Sequence, residues 1–163
     1  MNSHLKCVVI FWIYVCANCA WADTPNATLP LQISMHSEGF TNKGASIKIS
    51  LTNISAHPIQ MYDIQTPWAL RINLLLVATT KQSWENLRSA GFAVEDPVNV
   101  KIIQIAPGET ISGTVQLTDY VDYVDLRKKK EDLLVFWHFV AKGAERDMLG
   151  EYGGWVTIPY KKG

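Results

Sequence analysis

The 163-residue sequence predicts an all-β protein, a two-sheet sandwich of about seven strands with one candidate short helix. Apolar and polar residues alternate along several stretches, most clearly over residues 45–53. A period of two gives an extended strand one buried face and one solvated face. Turn-forming residues separate these stretches, as Pro107 and Gly108 do between residues 98–102 and 111–117. Many short strands with turns between them are typical of a sandwich.

Two of the strand segments are apolar on both faces, which predicts central strands that are covered on both sides. They are residues 70–77 and residues 133–140, in which only His138 interrupts the apolar pattern. We expect residues 133–140 to be the most buried strand, and Gly113 to occupy an inward position on its own strand. The candidate strands in chain order are residues 31–36, 45–53, 59–64, 70–77, 98–102, 111–117, 133–140 and 155–160.

The candidate helix lies at residues 79–91. Trp84, Leu87 and Arg88 fall at helical spacing there, and Ser83 is a suitable N-cap. A long irregular loop is the alternative for this segment. The spacing therefore predicts a helix that ends at Gly91, and an irregular loop remains the alternative.

Two further connections carry distinct patterns. Residues 118–132 contain three aspartates spaced three apart, which favours one or two helical turns before the next strand. Residues 141–154 are polar and contain four glycines, which predicts a hairpin loop of unusual length. Because long loops in compact domains are usually functional or disordered, this segment is the candidate functional loop.

The N-terminus has the three parts of a cleavable signal peptide. Lys6 precedes an apolar run at residues 7–16, and Ala20-Trp21-Ala22 matches a cleavage site. The run is shorter than the roughly 20 apolar residues of a membrane span. The sequence thus predicts a signal peptide at residues 1–22, a single domain at residues 23–163 with no membrane span, and a periplasmic or secreted location. An uncleaved anchor and lipid attachment at Cys19 are the alternatives.

Cleavage would remove all three cysteines and Lys6, leaving 14 basic side chains against 15 acidic ones. The domain would then have no thiol chemistry and no basic excess for binding nucleic acid. The sequence also contains no G-x-S-x-G, no H-E-x-x-H and no glycine-rich phosphate loop. We therefore expect a protein that is not an enzyme and needs no cofactor.

Two short phrases resemble a known group of domains. Residues 47–61, IKISLTNISAHPIQM, and residues 105–117, IAPGETISGTVQL, resemble strand ends and the Pro-Gly-Glu hairpin of bacterial immunoglobulin-like accessory domains. The intracellular proteinase inhibitor of bacilli is similar in outline. The resemblance implies an immunoglobulin-like sandwich, in which Tyr120 or Tyr123 could be the tyrosine of the corner before a central strand. It assigns no site residue, because these phrases are turn chemistry.

The aromatic side chains are the candidate contact residues. Trp68 and Trp84 lie in loop-like surroundings, and Trp155 follows two glycines close to Tyr152. Exposed aromatic side chains often anchor partners or sugar rings, although each could instead fold back to cover the end of the sandwich. The leading hypothesis is a non-enzymatic module that binds another exported or envelope protein, proteinase inhibition being one form of it. Carbohydrate binding through the same aromatics is an alternative.

A copper-handling protein is the other alternative, since exported β-sandwiches can hold copper on His and Met. His36, His57 and Met61 are the candidate ligands. A blue-copper site also needs a Cys, which the cleaved chain would lack. The competing interpretation is that the Met residues fill gaps in the core and that the His residues are ordinary.

Overall fold

A computed structural model of the chain describes residues 29–37, 39–41, 44–90 and 99–162. This part is an all-β sandwich, with eight strands in three antiparallel sheets and one short α-helix, α1 (Tyr123–Lys128). The predicted signal peptide and the predicted helix end at Gly91 lie outside the described residues. The strands are β1 (Leu31–His36), β2 (Ser46–Asn53), β3 (Ile59–Tyr62), β4 (Leu74–Thr80), β5 (Ile102–Ile105), β6 (Thr110–Gln116), β7 (Leu133–Lys142) and β8 (Met148–Ile158).

Two three-stranded sheets, in the order β1-β2-β6 and β4-β7-β8, form the layers of the sandwich, and β3 and β5 form a small third sheet. Their inward residues belong to one core. Ile47, Ile49 and Leu51 of β2 are fully buried, as are Leu133, Val135 and Phe139 of β7. The alternation that predicted the strands therefore does place one face of each layer in the core.

Gly113 does occupy an inward position, opposite the buried Ile49 of β2. A Cβ at Gly113 would overlap the indole ring of Trp68, so the glycine leaves space for that ring. The same arrangement occurs across the second sheet, where Gly154 pairs with Trp137 and a Cβ would lie 3.2 Å from its indole. Gly113 of β6 thus leaves space for a tryptophan from a turn, and Gly154 of β8 leaves space for one from the neighbouring strand β7.

The predicted Pro-Gly reversal between β5 and β6 is confirmed. Gly108 has a φ of 78°, and Glu109 N donates to Ala106 O over 2.9 Å. The Glu109 carboxylate in turn accepts from Ala106 N at 2.7 Å. The helical turns expected at residues 118–132 are also present, since Asp122 caps α1 by accepting from Val124 N at 2.7 Å.

The prediction of a helix at residues 79–91 is wrong for residues 79–90, the part of this segment that the structure describes. These residues have the irregular structure that was the alternative. β4 continues to Thr80, and the chain then turns back along the edge of β4, where Leu87 N donates to Ala78 O at 3.0 Å. Hydrogen bonds to a neighbouring strand and burial of Leu87 outweigh the helical spacing, which describes only local geometry.

Three further predictions need correction. Residues 141–154 are not a long loop, because β7 runs to Lys142 and β8 begins at Met148. The strand expected at residues 98–102 begins at Ile102, and Val98 lies outside the described residues. The period-two alternation of Val98, Val100 and Ile102 predicts that these residues face inward, but Ile102 is exposed while Ile105 is buried.

The third correction concerns the strands that are apolar on both faces. β7 is central, as expected, but the outer sides of β4 and β7 are covered only in part. Leu75 and Val77 of β4 are exposed, and so is Phe136 of β7. In a two-layer sandwich a strand has only one face toward the core, so the second apolar face points outward.

Candidate functional site

The two layers present outer faces of opposite chemistry. The outer face of β1-β2-β6 is covered by hydroxyl and amide side chains that bond across the strands. The pairs are Ser50–Ser112 at 2.8 Å, Thr52–Thr110 at 2.8 Å and Ser46–Gln116 at 3.0 Å. Such a face satisfies itself and is well solvated, as the outer face of an antiparallel sheet commonly is.

The outer face of β4-β7-β8 is apolar. Val77, Phe136 and Trp155 lie side by side in one row across the three strands, and they are 47%, 43% and 65% exposed. Leu75, two residues before Val77, is 61% exposed. We call Leu75, Val77, Phe136 and Trp155 the apolar face. Scattered exposed apolar residues are ordinary, and a contiguous group in register across three strands is a candidate interaction surface.

The row beside it is less apolar. It contains Leu75 on β4, His138 on β7 and Gly153 on β8. This row therefore has a large side chain at the β4 position and none at the β8 position. His138 Nε2 lies 3.8 Å from a carboxylate oxygen of Glu151. These two polar side chains border the apolar face at the end nearest the β7–β8 turn.

A shallow hollow of about 290 Å³ borders the same end of the sheet. Ile72, Leu75 and His138 contribute to its lining, and Ile72 is itself well exposed. The apolar surface therefore continues from the strands onto the short 3-10 turn (Arg71–Asn73) that precedes β4.

The four aromatic candidates divide into two kinds. Trp155 lies on the apolar face, and Trp84 is equally exposed but belongs to the turn after β4. Trp68 packs over Gly113 against the core. Tyr152 is buried; its hydroxyl accepts from Leu31 N and donates to Leu149 O, both over 3.2 Å. Trp68 and Tyr152 are thus structural, as the alternative of folding back onto the sandwich expected.

The tyrosine pKa values are consistent with this placement. Burial raises the pKa of the Tyr152 phenol. Burial likewise raises the pKa of Tyr120, to about 12, although the neighbouring Arg71 guanidinium works in the opposite direction. Both phenols are therefore neutral at physiological pH.

Trp84 stands on a turn that is held in place. Glu131 accepts from Ser83 Oγ at 2.7 Å and from the backbone amide of Gln82 at 3.0 Å. These bonds, the one from the Ser83 hydroxyl foremost, lower the pKa of the Glu131 carboxyl. Trp84 itself has a φ of 55°, in the left-handed region. It is an exposed aromatic on a fixed turn, separate from the row that contains Trp155.

The proposed copper ligands face different surroundings. Met61 is fully buried in the core, whereas His36 is exposed on the outer face of β1 and pairs with Lys48. His57 lies in the exposed link after β2. Among the described residues no three His, Cys, Asp or Glu side chains form a group that could hold a metal ion. His36 borders a second hollow, of about 460 Å³, together with Ser46, Lys48 and Gln116.

An exposed ion pair joins α1 to the segment along β4. Arg88 Nε donates to Asp125 Oδ2 at 3.0 Å, and Arg88 Nη2 donates to Oδ1 at 3.1 Å. The hydrogen bond from Arg88 lowers the pKa of Asp125 to about 2. This bidentate pair fixes the connection and lies apart from the apolar face.

Sequence reasoning identified Trp155 but missed Leu75, Val77 and Phe136 as candidate site residues. The signal was available, because both strands were recognised as apolar on both faces. The second apolar face of each strand predicts burial on both sides, whereas the structure places part of that face at the surface.

Comparison with protein-family models finds no match to this chain, and comparison with curated proteins finds none either. The resemblance to immunoglobulin-like accessory domains therefore stays a prediction about the family. Within the described residues, no helix is both long enough and apolar enough to cross a membrane.

Proposed function

We propose that this chain is an exported, non-enzymatic binding module that acts through protein contacts at the apolar face. The observation that carries the proposal is the row Val77, Phe136 and Trp155, exposed in register across β4, β7 and β8. Leaving such a surface in water has a free-energy cost of roughly 25 cal/mol per Å² of apolar area, which a partner would remove.

Binding through the apolar face does not involve the loop that the sequence predicts at residues 141–154. Residues 143–147 form a tight turn between two long strands, with Gly143 N donating to Asp147 O at 2.9 Å. Proteinase inhibition through a long flexible loop therefore loses its structural support. Contact through a rigid sheet face needs no such loop, and it costs less ordering entropy on binding.

Carbohydrate binding through the same face is the second candidate, because Trp155 and Phe136 are adjacent aromatics on a sheet. The two functions differ in what Leu75 does. A protein partner would bury Leu75, whereas stacking of a sugar ring would depend on the aromatic rings alone.

The test uses the naturally processed protein as bait in an extract of the cells that produce it. Trp155→Ser removes the largest side chain of the apolar face, and Trp84→Ser is the matched control, since both indoles are 65% exposed. A partner captured by the wild type and by Trp84→Ser, but lost with Trp155→Ser and with Leu75→Ser, supports the proposal. Capture that survives Trp155→Ser contradicts it.

Retention on a polysaccharide column that depends on Trp155 but not on Leu75 would favour the carbohydrate alternative. Circular dichroism of every variant must match the wild type, because a loss of capture is informative only for a folded bait.

A further inference from the structure

We propose that the apolar face binds a second copy of this chain, forming a two-fold dimer whose axis runs parallel to β7. This inference rests on the proposed function, because it names an occupant for the same face. Two sheets that pack face to face keep their strands roughly aligned, about 10 Å apart, so the sheet can pack on a copy of itself.

The order of large and small side chains across the sheet makes the face complementary to itself. A two-fold axis parallel to β7 exchanges the positions of β4 and β8 and leaves the rows at the same level. In the first row, Leu75 of one copy then meets the partner position of Gly153, where no side chain stands. On the two outer strands of this row the large side chain therefore faces space, while His138 on the central strand faces its own copy across the axis.

The second row follows the same rule. Trp155 of one copy lies over Val77 of the other, so that the largest side chain of the row meets the smallest. Phe136 lies on the central strand and packs against its own copy, as aromatic side chains do at the centre of isologous contacts. Interdigitation of this kind is what gives packed interfaces their density.

Charge does not oppose the association. The complete chain has 15 basic and 15 acidic side chains, and cleavage of the signal peptide would leave a balance of one negative charge. The polar side chains beside the apolar face, His138 and Glu151, are already adjacent to each other, with 3.8 Å between His138 Nε2 and a Glu151 carboxylate oxygen. Neither long-range repulsion nor an isolated charge at the centre of the face counts against two copies meeting.

The area sets the strength of the dimer. The apolar face exposes on the order of 400 Å², given that large apolar side chains carry about 150–250 Å² each. Two copies would bury about 800 Å² in total, less than the roughly 1,200 Å² of a stable interface. The dimer is therefore weak and reversible. Among the described residues, the outer face of the other sheet is polar and offers no second sheet face of this kind, so assembly is expected to stop at two.

The experiment is sedimentation equilibrium of the naturally processed protein from about 5 μM to 1 mM, a range chosen to bracket the weak association that such an area supports. The wild type and Trp84→Ser are expected to pass from monomer to dimer with the same midpoint. Trp155→Ser is expected to weaken the association at least tenfold. Val77→Trp enlarges the apolar surface but fills the position that Trp155 of the other copy needs, so it is also expected to weaken the dimer at least tenfold.

Val77→Trp separates specific docking from general stickiness. Nonspecific apolar attraction would strengthen its association, and that result would overturn the proposal. Assembly beyond the dimer, or a wild type that is monomeric at 1 mM, would overturn it too. If the wild type stays monomeric while capture of another protein depends on Trp155, the dimer is wrong and the proposed function stands.

Discussion

The side-chain amide of Asn53 gives the sharpest stability prediction in this protein. Asn53 is fully buried at the end of β2. Its Nδ2 donates to His57 O at 2.8 Å and to Ile105 O at 2.9 Å. Its Oδ1 accepts from Ser55 N at 2.9 Å and from Ser55 Oγ at 2.7 Å. One side chain therefore connects the end of β2, the following link and β5.

Asn53→Ala would remove all four bonds. The bond to Ile105 O is the costliest loss, because that bond is buried and an unsatisfied buried acceptor costs about 1–3 kcal/mol. The other three are partly buried, so water can replace part of them, at about 0.5 kcal/mol each. We expect the free energy of unfolding to fall by about 3 kcal/mol.

Asn53→Asp tests which half of the amide matters. The carboxylate keeps an acceptor toward Ser55 but turns an oxygen toward the carbonyls of His57 and Ile105, where the wild type has a donor. We expect a loss larger than that of Asn53→Ala, about 4 kcal/mol, because two carbonyl oxygens then face a buried charge.

The assay is equilibrium unfolding in urea, followed by tryptophan fluorescence, with the m value held as a check on two-state behaviour. Asn86→Ala is the control, because Asn86 is exposed; its change should stay within about 0.5 kcal/mol. A loss below 1 kcal/mol for Asn53→Ala with an unchanged m value would refute the reasoning. So would an Asn53→Asp variant as stable as the wild type.

Three further predictions concern separate parts of the chain. Gly113→Ala should lower the free energy of unfolding by about 1–3 kcal/mol, because its Cβ would overlap Trp68. In a Trp68→Ala background the same substitution should lower it by less than about 0.5 kcal/mol, and a double-mutant cycle of urea unfolding measures the difference. An NMR titration should find the pKa of Asp125 at about 2, and Arg88→Gln should raise it toward its usual value. Since the folded pKa is the lower one, the stability from this pair should be complete above about pH 4 and be lost as the pH falls through 2. Intact mass and a thiol assay of the exported protein should show a chain that starts after Ala22 and has no free thiol.

Most of the fold could be predicted from the sequence, because strand alternation and turn chemistry are local. Ile47, Ile49 and Leu51 have a period of two, and Pro107-Gly108 can only be a reversal of the kind observed. The inward position of Gly113 followed from the same count along β6. These features depend only on residues that are close to one another in the sequence.

The candidate site could be predicted only in part. Trp155 is recognisable as an aromatic after two glycines, but its alignment with Phe136 depends on the β7–β8 register, and Val77 comes from β4, far away in the sequence. Register across strands is a tertiary property, set by which faces pack together. The helix expected at residues 79–91 failed for the same reason, since the edge of β4 supplied hydrogen bonds that spacing alone cannot reveal.

Short-range periodicity and backbone preference were sufficient to predict the all-β class, the inward residues of β2 and β6 and the Pro107-Gly108 turn. Only the tertiary structure decided which apolar faces are buried. β4 and β7 each carry two apolar faces, and a sequence pattern cannot say whether the second is covered. A two-layer sandwich has one interior, so packing in three dimensions placed one of these faces in the core and left the other at the surface.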